Sequence, residues 1–474
     1  MFAECNQKSF EFHPLGRRHV VARFDGGRIT SDGGALLLRE AERVTGIIAQ
    51  FAACFNDYRD PNRIEHTVDE LVAQRVYGLA LGYEDLNDHD DLRYDPLLAV
   101  LAGKTDPLGT KRVRQRDQGK ALAGKSTLNR LELTPVRANA ASRYKKITLD
   151  RWAVQRLFTD LFIQSHQRPP KRMVLDLDAT DDLIHGRQSG RFFHGYYKGY
   201  CYLPLYIFCG EHLLCARLRP SNIDASAGSV EELQRIVGQI RERWPAVRIV
   251  IRADSGFCRE AIMAWCETND VDYVLGLAQN KRLAQEIENE LAQAKCQYDA
   301  TRQAARVFAD FHYQTLDSWS RSRRVIGKAE HLAKGANPRF VVTSLSAEMF
   351  DARTLYEDEY CARGEMENRI KEQQLCLFAD RTSAATMRAN EVRLWFSSMA
   401  YTLMNALRRL GLKNTSMARA RCDTIRLKLL KIGAQVRVTF RRVWISLTEG
   451  CPYHGIFQRV YANLIAVRSL PLRC

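Results

Sequence analysis

The sequence predicts an α/β protein built on a mixed β-sheet flanked by helices. Apolar residues recur mainly at helical spacing over residues 1–167 and then switch to the short period of strands from residue 172. Beyond that point the order is strand, strand, strand, helix, strand, helix, strand, and parallel neighbours in one sheet need such crossover helices. The 46% hydrophobic content of 474 residues is enough for a sizeable core, at a length that suggests roughly three domains.

Residues 1–34 combine HVVARF with DGG at 25–27 and 32–34, and glycine's access to positive φ predicts a small hairpin there. Helices follow over ALLLREAERV (35–44) and HTVDELVAQRVYGLALG (66–82), separated by the turn-rich NDYRDPNR. The polar stretch YEDLNDHDDLRYD (83–95) reads as a solvated face or loop, and neither its carboxylates nor His89 demand a metal. KRVRQRDQGK (111–120) is either a DNA-contacting element or a solvated basic face. STLNRLEL (126–133) is a short helix that Ser126 can cap. SHQRPPK (165–171) supplies a linker, which places a boundary near 168.

RMVLDLDAT (172–180), YLPLYIF (202–208) and HLLCARLRP (212–220) read as strands, the last two a hairpin around Gly210 and Glu211. An amphipathic helix at 230–244 leads to the apolar strand VRIVIRAD (247–254), then a helix at 259–270 and a strand at 272–278. A helical stretch at 281–306 and strands at FHYQTL (311–316), SRRVIGKA (322–329) and RFVVTSLS (339–346) predict a β-rich insertion over about 280–355. Helices at 355–378 and 388–411 precede KIGAQVRVTFRRVWISL (431–447), a basic strand or bent hairpin. The expected division is a mostly helical region 1–167, a sheet domain 168–380 and a basic α+β region 381–474.

The 71 Lys and Arg exceed the 55 Asp and Glu by 16 charges, and residues 381–474 hold 17 of the cations against 3 acids. A chain so biased favours polyanionic partners, because neutralised phosphates release counterions. The longest apolar run, CYLPLYIFCG (201–210), falls short of the roughly 18 residues of a membrane helix. The N-terminal residues lack the basic start and apolar stretch of an export signal, so a cytoplasmic, nucleoid-associated protein is expected. Thirteen cysteines from Cys5 to Cys474, without a CxxC pair, fit neither a disulfide framework nor a thiolate zinc cluster.

GKALAGKS (119–126) satisfies the P-loop pattern through Gly119, Gly124, Lys125 and Ser126. A P-loop needs a buried strand that delivers the turn to a helix N-terminus, and KRVRQRDQ is too charged to be one. The match reads as chance.

Asp176 and Asp178 sit two apart on a strand and share a face near its end. Asp254 ends a second strand before Ser255 and Gly256, as a site carboxylate or a capping residue. Tyr360, Arg363, Glu367 and Lys371 are spaced three, four and four apart, which predicts one helix face, readable also as a salt-bridge stripe. Three carboxylates can hold two divalent ions for phosphodiester chemistry, with cations nearby to position phosphates.

LDLDATDDLIHGRQSGRFFHGYYKGYCYLPLYIF (175–208), IRADSGF (251–257), YCARGEMENRIKE (360–372) and CDTIRLKLLKIGAQVRV (422–438) resemble DDE transposases of the IS1380 family, a branch of the IS4-like group. With DGGRITSDGGALLL (25–38), the resemblance covers nearly the full chain. It implies an RNase H-like catalytic core interrupted by a β-rich insertion, with Asp178, Asp254 and Glu367 as a triad holding Mg2+ or Mn2+. The D-x-T form of Asp178 to Thr180 favours Asp178 over Asp176 as first member. In the group's Y-x2-R-x3-E-x6-K signature, Tyr360, Arg363 and Glu367 match, but the lysine position holds Gln374. Lys371, one turn earlier, becomes the candidate for phosphate binding. Trp319 is the insertion's candidate for stacking a flipped base, beside its reading as a core residue. The resemblance further implies double-stranded DNA with terminal inverted repeats as substrate, target DNA as acceptor, and a dimer in the active complex. A structure-specific nuclease without strand transfer and a catalytically inert DNA-binding protein are the alternatives; the intact carboxylate set argues against the second.

Overall fold

A nine-stranded mixed sheet forms the centre of the computed structural model, which describes residues 9–468. Its order is His212–Arg217, Leu205–Cys209, Arg172–Ala179, Arg248–Ala253, Asp272–Leu277, Arg339–Thr343, Arg323–Leu332 and Ala305–Tyr313, with Gly335–Ala336 paired to Arg323–Leu332. Arg248–Ala253 runs parallel to both its neighbours, and every other pairing along this order is antiparallel. The crossovers on either side of it carry the helices Ser229–Arg243 and Glu260–Thr268.

The strands expected in the β-rich insertion extend this sheet. Arg339–Thr343 takes the free edge of Asp272–Leu277, from Val274↔Thr343 to Leu277↔Phe340. Ala305–Tyr313 begins before the expected 311 because Arg306 and Asp310 interrupt its apolar pattern. Those charges are matched across the sheet, Arg306 to Glu330 at 2.7 Å and Asp310 to Arg324 at 2.7 Å.

Side-chain alternation separates two cores. Leu175, Leu177, Ile249, Ile251, Ala253, Tyr273 and Leu275 face the crossover helices. Val250, Val274, Ile326 and Val341 face the opposite way, under Leu355 and Tyr356. The third core joins the N-terminal helices to Met387–Ala406, on which Trp395, Phe396, Met399 and Tyr401 are fully buried. Trp395 Nε1 donates to Ala216 O at 2.8 Å, tying that helix to the sheet edge.

This changes the meaning of the basic C-terminal region. Arg393 pairs with Glu132 at 2.7 Å, and Arg408 pairs with Glu372 at 2.5 Å where both are 2% exposed. Arg388 donates to the carbonyls of Thr134 and Pro135. Part of this region's positive charge is therefore paired inside the fold with acids from other segments, while the chain-wide excess of 16 is unchanged.

Four local expectations are corrected. The N-terminal hairpin, Phe10–Leu15 with Arg18–Ala22, reverses at Gly16 (φ 63°) rather than at either DGG. The second DGG is a docking point, since a Cβ on Gly34 would meet Leu429 O at 1.9 Å. Residues 83–95 form a solvated face rather than a loop: Leu86–Asp88 and His89–Leu92 are helical turns that bury Leu86, His89 and Leu92 and leave the other side chains partly or fully exposed. Burial lowers the His89 pKa to about 3, so the ring is neutral and shares a hydrogen bond with Gln74 at 3.0 Å. The helix Lys125–Glu132 is capped at Gly124, with Ser126 inside its first turn. Asp90 accepts from the Lys125 backbone N–H at 3.0 Å and pairs with Lys125 Nζ at 3.2 Å; a turn, not a strand, precedes Gly119.

Among the described residues the eleven cysteines are free, and Cys5 and Cys474 lie outside them. No described helix is long and apolar enough to cross a membrane.

Arg408→Met leaves the buried Glu372 with only the longer Arg369 contact at 3.6 Å and the Cys422 N–H, and unfolding in urea should show a loss of about 3 kcal/mol. The double variant Arg408→Met/Glu372→Leu should recover part of it.

Candidate active site

The two aspartates of the sequence motifs come together because of strand register. Arg172–Ala179 and Arg248–Ala253 pair in parallel with Asp176 opposite Arg252 and Leu177 opposite Ala253. Asp178 and Asp254 are the next positions on each strand, at ends roughly 4.8 Å apart by sheet spacing. Asp178 is half-buried and its Oδ1 accepts from the Ala179 N–H at 2.9 Å. Asp254 caps the short turn Ser255–Phe257, with Oδ1 accepting from Gly256 N–H at 2.9 Å. The capping and site readings of Asp254 thus describe one geometry, because a carboxylate on a turn at a strand end stays accessible.

Asp176 is placed differently. Both its oxygens accept from Arg252, at 2.5 and 2.9 Å, in a buried pair. That arginine interrupts an otherwise apolar strand and was read as part of the apolar run. Its spacing two before Asp254, matching Asp176 two before Asp178, was the available signal.

The third element reaches the strand ends through an irregular helical stretch. The predicted helix 355–378 is a π-helical turn Leu355–Tyr360, a tight turn Cys361–Arg363 and the α-helix Gly364–Leu377. Arg252 donates to Glu359 O at 2.5 Å and Arg172 pairs with the Glu359 carboxylate at 2.6 Å, which docks this stretch onto the sheet. Tyr360 follows directly. A Cβ on Gly276 would lie 2.5 Å from Tyr360 Oη and 2.9 Å from Ser255 N. Only glycine lets the phenol approach the Asp254 turn so closely, and a glycine inside a strand pattern is the cue for such an approach.

Arg363 pairs with Glu367 at 2.9 Å and carries the charge balance. Burial, with Asp254 and Glu367 nearby, pushes the Asp178 carboxyl up to about 7 against the pull of Arg363. Burial disfavours the charged guanidinium, but Asp178, Tyr360, Glu367 and Asp254 outweigh it and hold the Arg363 pKa above its ordinary value. Tyr197 completes the surround: its hydroxyl donates to Ala179 O at 3.3 Å, and burial with Asp181, Asp178 and Asp254 raises its pKa.

Lys371 is exposed one turn beyond Glu367. Gln374, at the position where the signature has lysine, donates to the buried Asp182 at 3.0 Å. Trp319 does not present a stacking face: it is 7% exposed, edge-on to Tyr313 at 5.8 Å, with the Arg323 guanidinium 5.5 Å over its ring.

Hard carboxylate oxygens suit a divalent cation, and a carboxyl raised by neighbouring carboxylates is the group such a cation relieves. Asp178, Asp254 and Glu367 fit that chemistry. Among the described residues no three acidic, histidine or cysteine side chains close around one point, and Glu367 is held by Arg363.

A family model described as Transposase DDE domain group 1 matches residues 12–469. No curated protein matches the chain.

The raised Asp178 pKa fixes a stability signature. Between the unfolded carboxylate range and about 7 the native state holds the extra proton, so stability falls as pH rises through that window. Asp178→Asn should melt above the parent at pH 8 without divalent ions, with the gap closing as pH falls from about 7 toward 4. Mn2+ should raise the parent's melting temperature and leave that of Asp178→Asn nearly unchanged.

Proposed function

The chain belongs to the family of group 1 transposase DDE domains, and on that premise we propose that it recognises terminal inverted repeats, cleaves DNA there, and joins the freed 3′-hydroxyl to target DNA. A DDE transposase acts on DNA and uses divalent metal ions to cut nucleic acid. The finer reading, an IS1380-type enzyme of the IS4-like group, rests on the sequence motifs. The strand order at the carboxylate half of the sheet supports an RNase H-like core: three antiparallel strands followed by two parallel ones beside the first.

One observation carries the mechanism: Asp178 and Asp254 end adjacent parallel strands in register, with Arg363 and Glu367 inside their electrostatic field. Bound Mg2+ or Mn2+ would polarise an attacking water or 3′-hydroxyl and stabilise the leaving oxygen. Asp178 and Asp254 would hold it, joined by Glu367 on release from Arg363. The released guanidinium would then orient a nontransferred phosphate, with Tyr360 beside it and Lys371 at the rim. Asp176, satisfied by Arg252, fixes the strand register. Pairing of two element ends calls for a dimer in the active complex, working at the nucleoid.

Asp254→Ala should lower Mg2+-dependent cleavage of element-end DNA by about 100- to 1,000-fold, the order lost with one charge-stabilising group. Equal cleavage before and after would sink the mechanism, and cleavage without joined products would leave a nuclease.

Gly276→Ala should slow cleavage about 10- to 100-fold by displacing the Tyr360 hydroxyl and the Asp254 turn. Circular dichroism should show an intact fold, and a cleavage rate equal to the parent's would remove Gly276 from the site.

A further inference from the structure

The strands Ala434–Val438 and Val443–Leu447 form a hairpin that the catalytic reading does not use. They pair in unbroken register from Ala434↔Leu447 to Val438↔Val443. One face turns inward through Ala434, Val436, Ile445 and Leu447, while Gln435, Arg437, Trp444 and Ser446 face solvent. Ile29–Thr30 pairs along the other edge, and Lys431 binds the buried Asp32 at 2.7 Å, so the ribbon is anchored to the body.

Its apex is held in one shape. Thr439 N–H donates to Arg442 O at 2.8 Å, and Thr439 Oγ1 donates to the same carbonyl at 2.9 Å while accepting from Arg442 N–H at 3.1 Å. Phe440 and Arg441 form the tip, with the phenyl ring fully exposed. The Arg442 guanidinium lies 5.4 Å over the Trp444 ring. From Thr424 to Thr448 the chain has no acidic residue. Unlike Arg393 and Arg408, the tip arginines face no carboxylate among the described ion pairs.

A rigid, arginine-flanked ribbon with one apolar side chain at its apex fits a nucleic-acid groove. Val443, Trp444 and Ile29 are also exposed on this sheet, but Phe440 stands apart at the apex between Thr439, Arg441 and Arg442, and the acid-free run from Thr424 to Thr448 favours a polyanion over a protein surface. We propose that this ribbon enters a groove of duplex DNA, with Arg437, Arg441 and Arg442 on phosphates and Phe440 wedged between base pairs, kinking the duplex. The choice of DNA rests on the proposed function; the element, the contacts and the deformation are new.

The test uses the full chain and a duplex of alternating thymine–adenine steps, which unstack readily, carrying 2-aminopurine as a reporter. Binding of the parent should raise 2-aminopurine fluorescence. Phe440→Ala should lose that rise and bind about 10- to 100-fold more weakly at every salt concentration, while Phe440→Leu keeps both. Because Phe440 carries no charge, the slope of log affinity against log salt should stay unchanged in Phe440→Ala and fall by about one in Arg441→Ala. Unstacking through Phe440 by a chain that never cleaves upholds the wedge and sinks only the catalytic reading. No fluorescence rise with the parent, or parent-like behaviour of Phe440→Ala, overturns the wedge.

Discussion

The candidate site depends on one register, the parallel pairing that sets Asp176 opposite Arg252. A one-residue slip would turn the polar face of either strand into the apolar core. A two-residue slip would put Arg252 opposite Asp178 or Val174 and leave Asp176 buried without its partner. Each alternative costs several kcal/mol, since an uncompensated buried charge is among the most destabilising defects. The pair therefore acts as a ratchet, and Asp178 and Asp254 come level as its consequence. The same arginine grips Glu359 O, so the device that aligns the strands also seats the stretch bearing Tyr360 and Arg363.

Asp178 and Asp254 at neighbouring strand ends, with Glu367 on the helix beside them, raise one another's charge cost, and the fold carries an internal answer. Arg363 sits within reach of all three and is bonded to Glu367. Its cation balances charge in the folded chain before any other cation arrives. A guanidinium is a directional donor rather than a point charge, so on the proposed reading it would also suit a phosphate once a divalent ion held the carboxylates. The backbone from Leu355 to Arg363 is irregular, yet Tyr360 and Arg363 still face each other and Arg363 still pairs with Glu367 one turn on, as their spacing suggests. π-helical turns often mark such sites, because one extra residue re-aims the side chains after it.

The strands and crossover helices of the catalytic half were legible because each is a short apolar run bounded by turn residues. The strand-end aspartates were legible as well, since a carboxylate closing an apolar strand has few structural uses. Less legible was whatever depends on contact between distant segments. Arg252 lies within a run that reads as an apolar strand, and its role appears only with its cross-strand partner Asp176. Gly276 carries no local signal of its role, which is set by Tyr360 lying against it from a distant segment. The 83–95 stretch looked solvated because its polar residues outnumber Leu86, His89 and Leu92, yet those three point inward. The strands at 305–343 were recognised, but which sheet they join is set by a free edge the local pattern cannot display.

The cation excess shows how far composition can be pushed. A surplus of charge in the last 94 residues suggested a diffuse phosphate-attracting surface, but an arginine bonded to Glu132 or Glu372 adds nothing to the outward field. What reaches a polyanion is the charge left after internal pairing, and three of those cations, Arg437, Arg441 and Arg442, lie on a ribbon stiffened by cross-strand hydrogen bonds and a threonine-locked turn. A stiff basic element loses little conformational entropy on binding and can press an apolar tip into its partner, whereas a flexible tail of equal charge can only hover over phosphates. Rigidity, more than the count of 17 cations, is what would turn general attraction into a defined grip on the duplex.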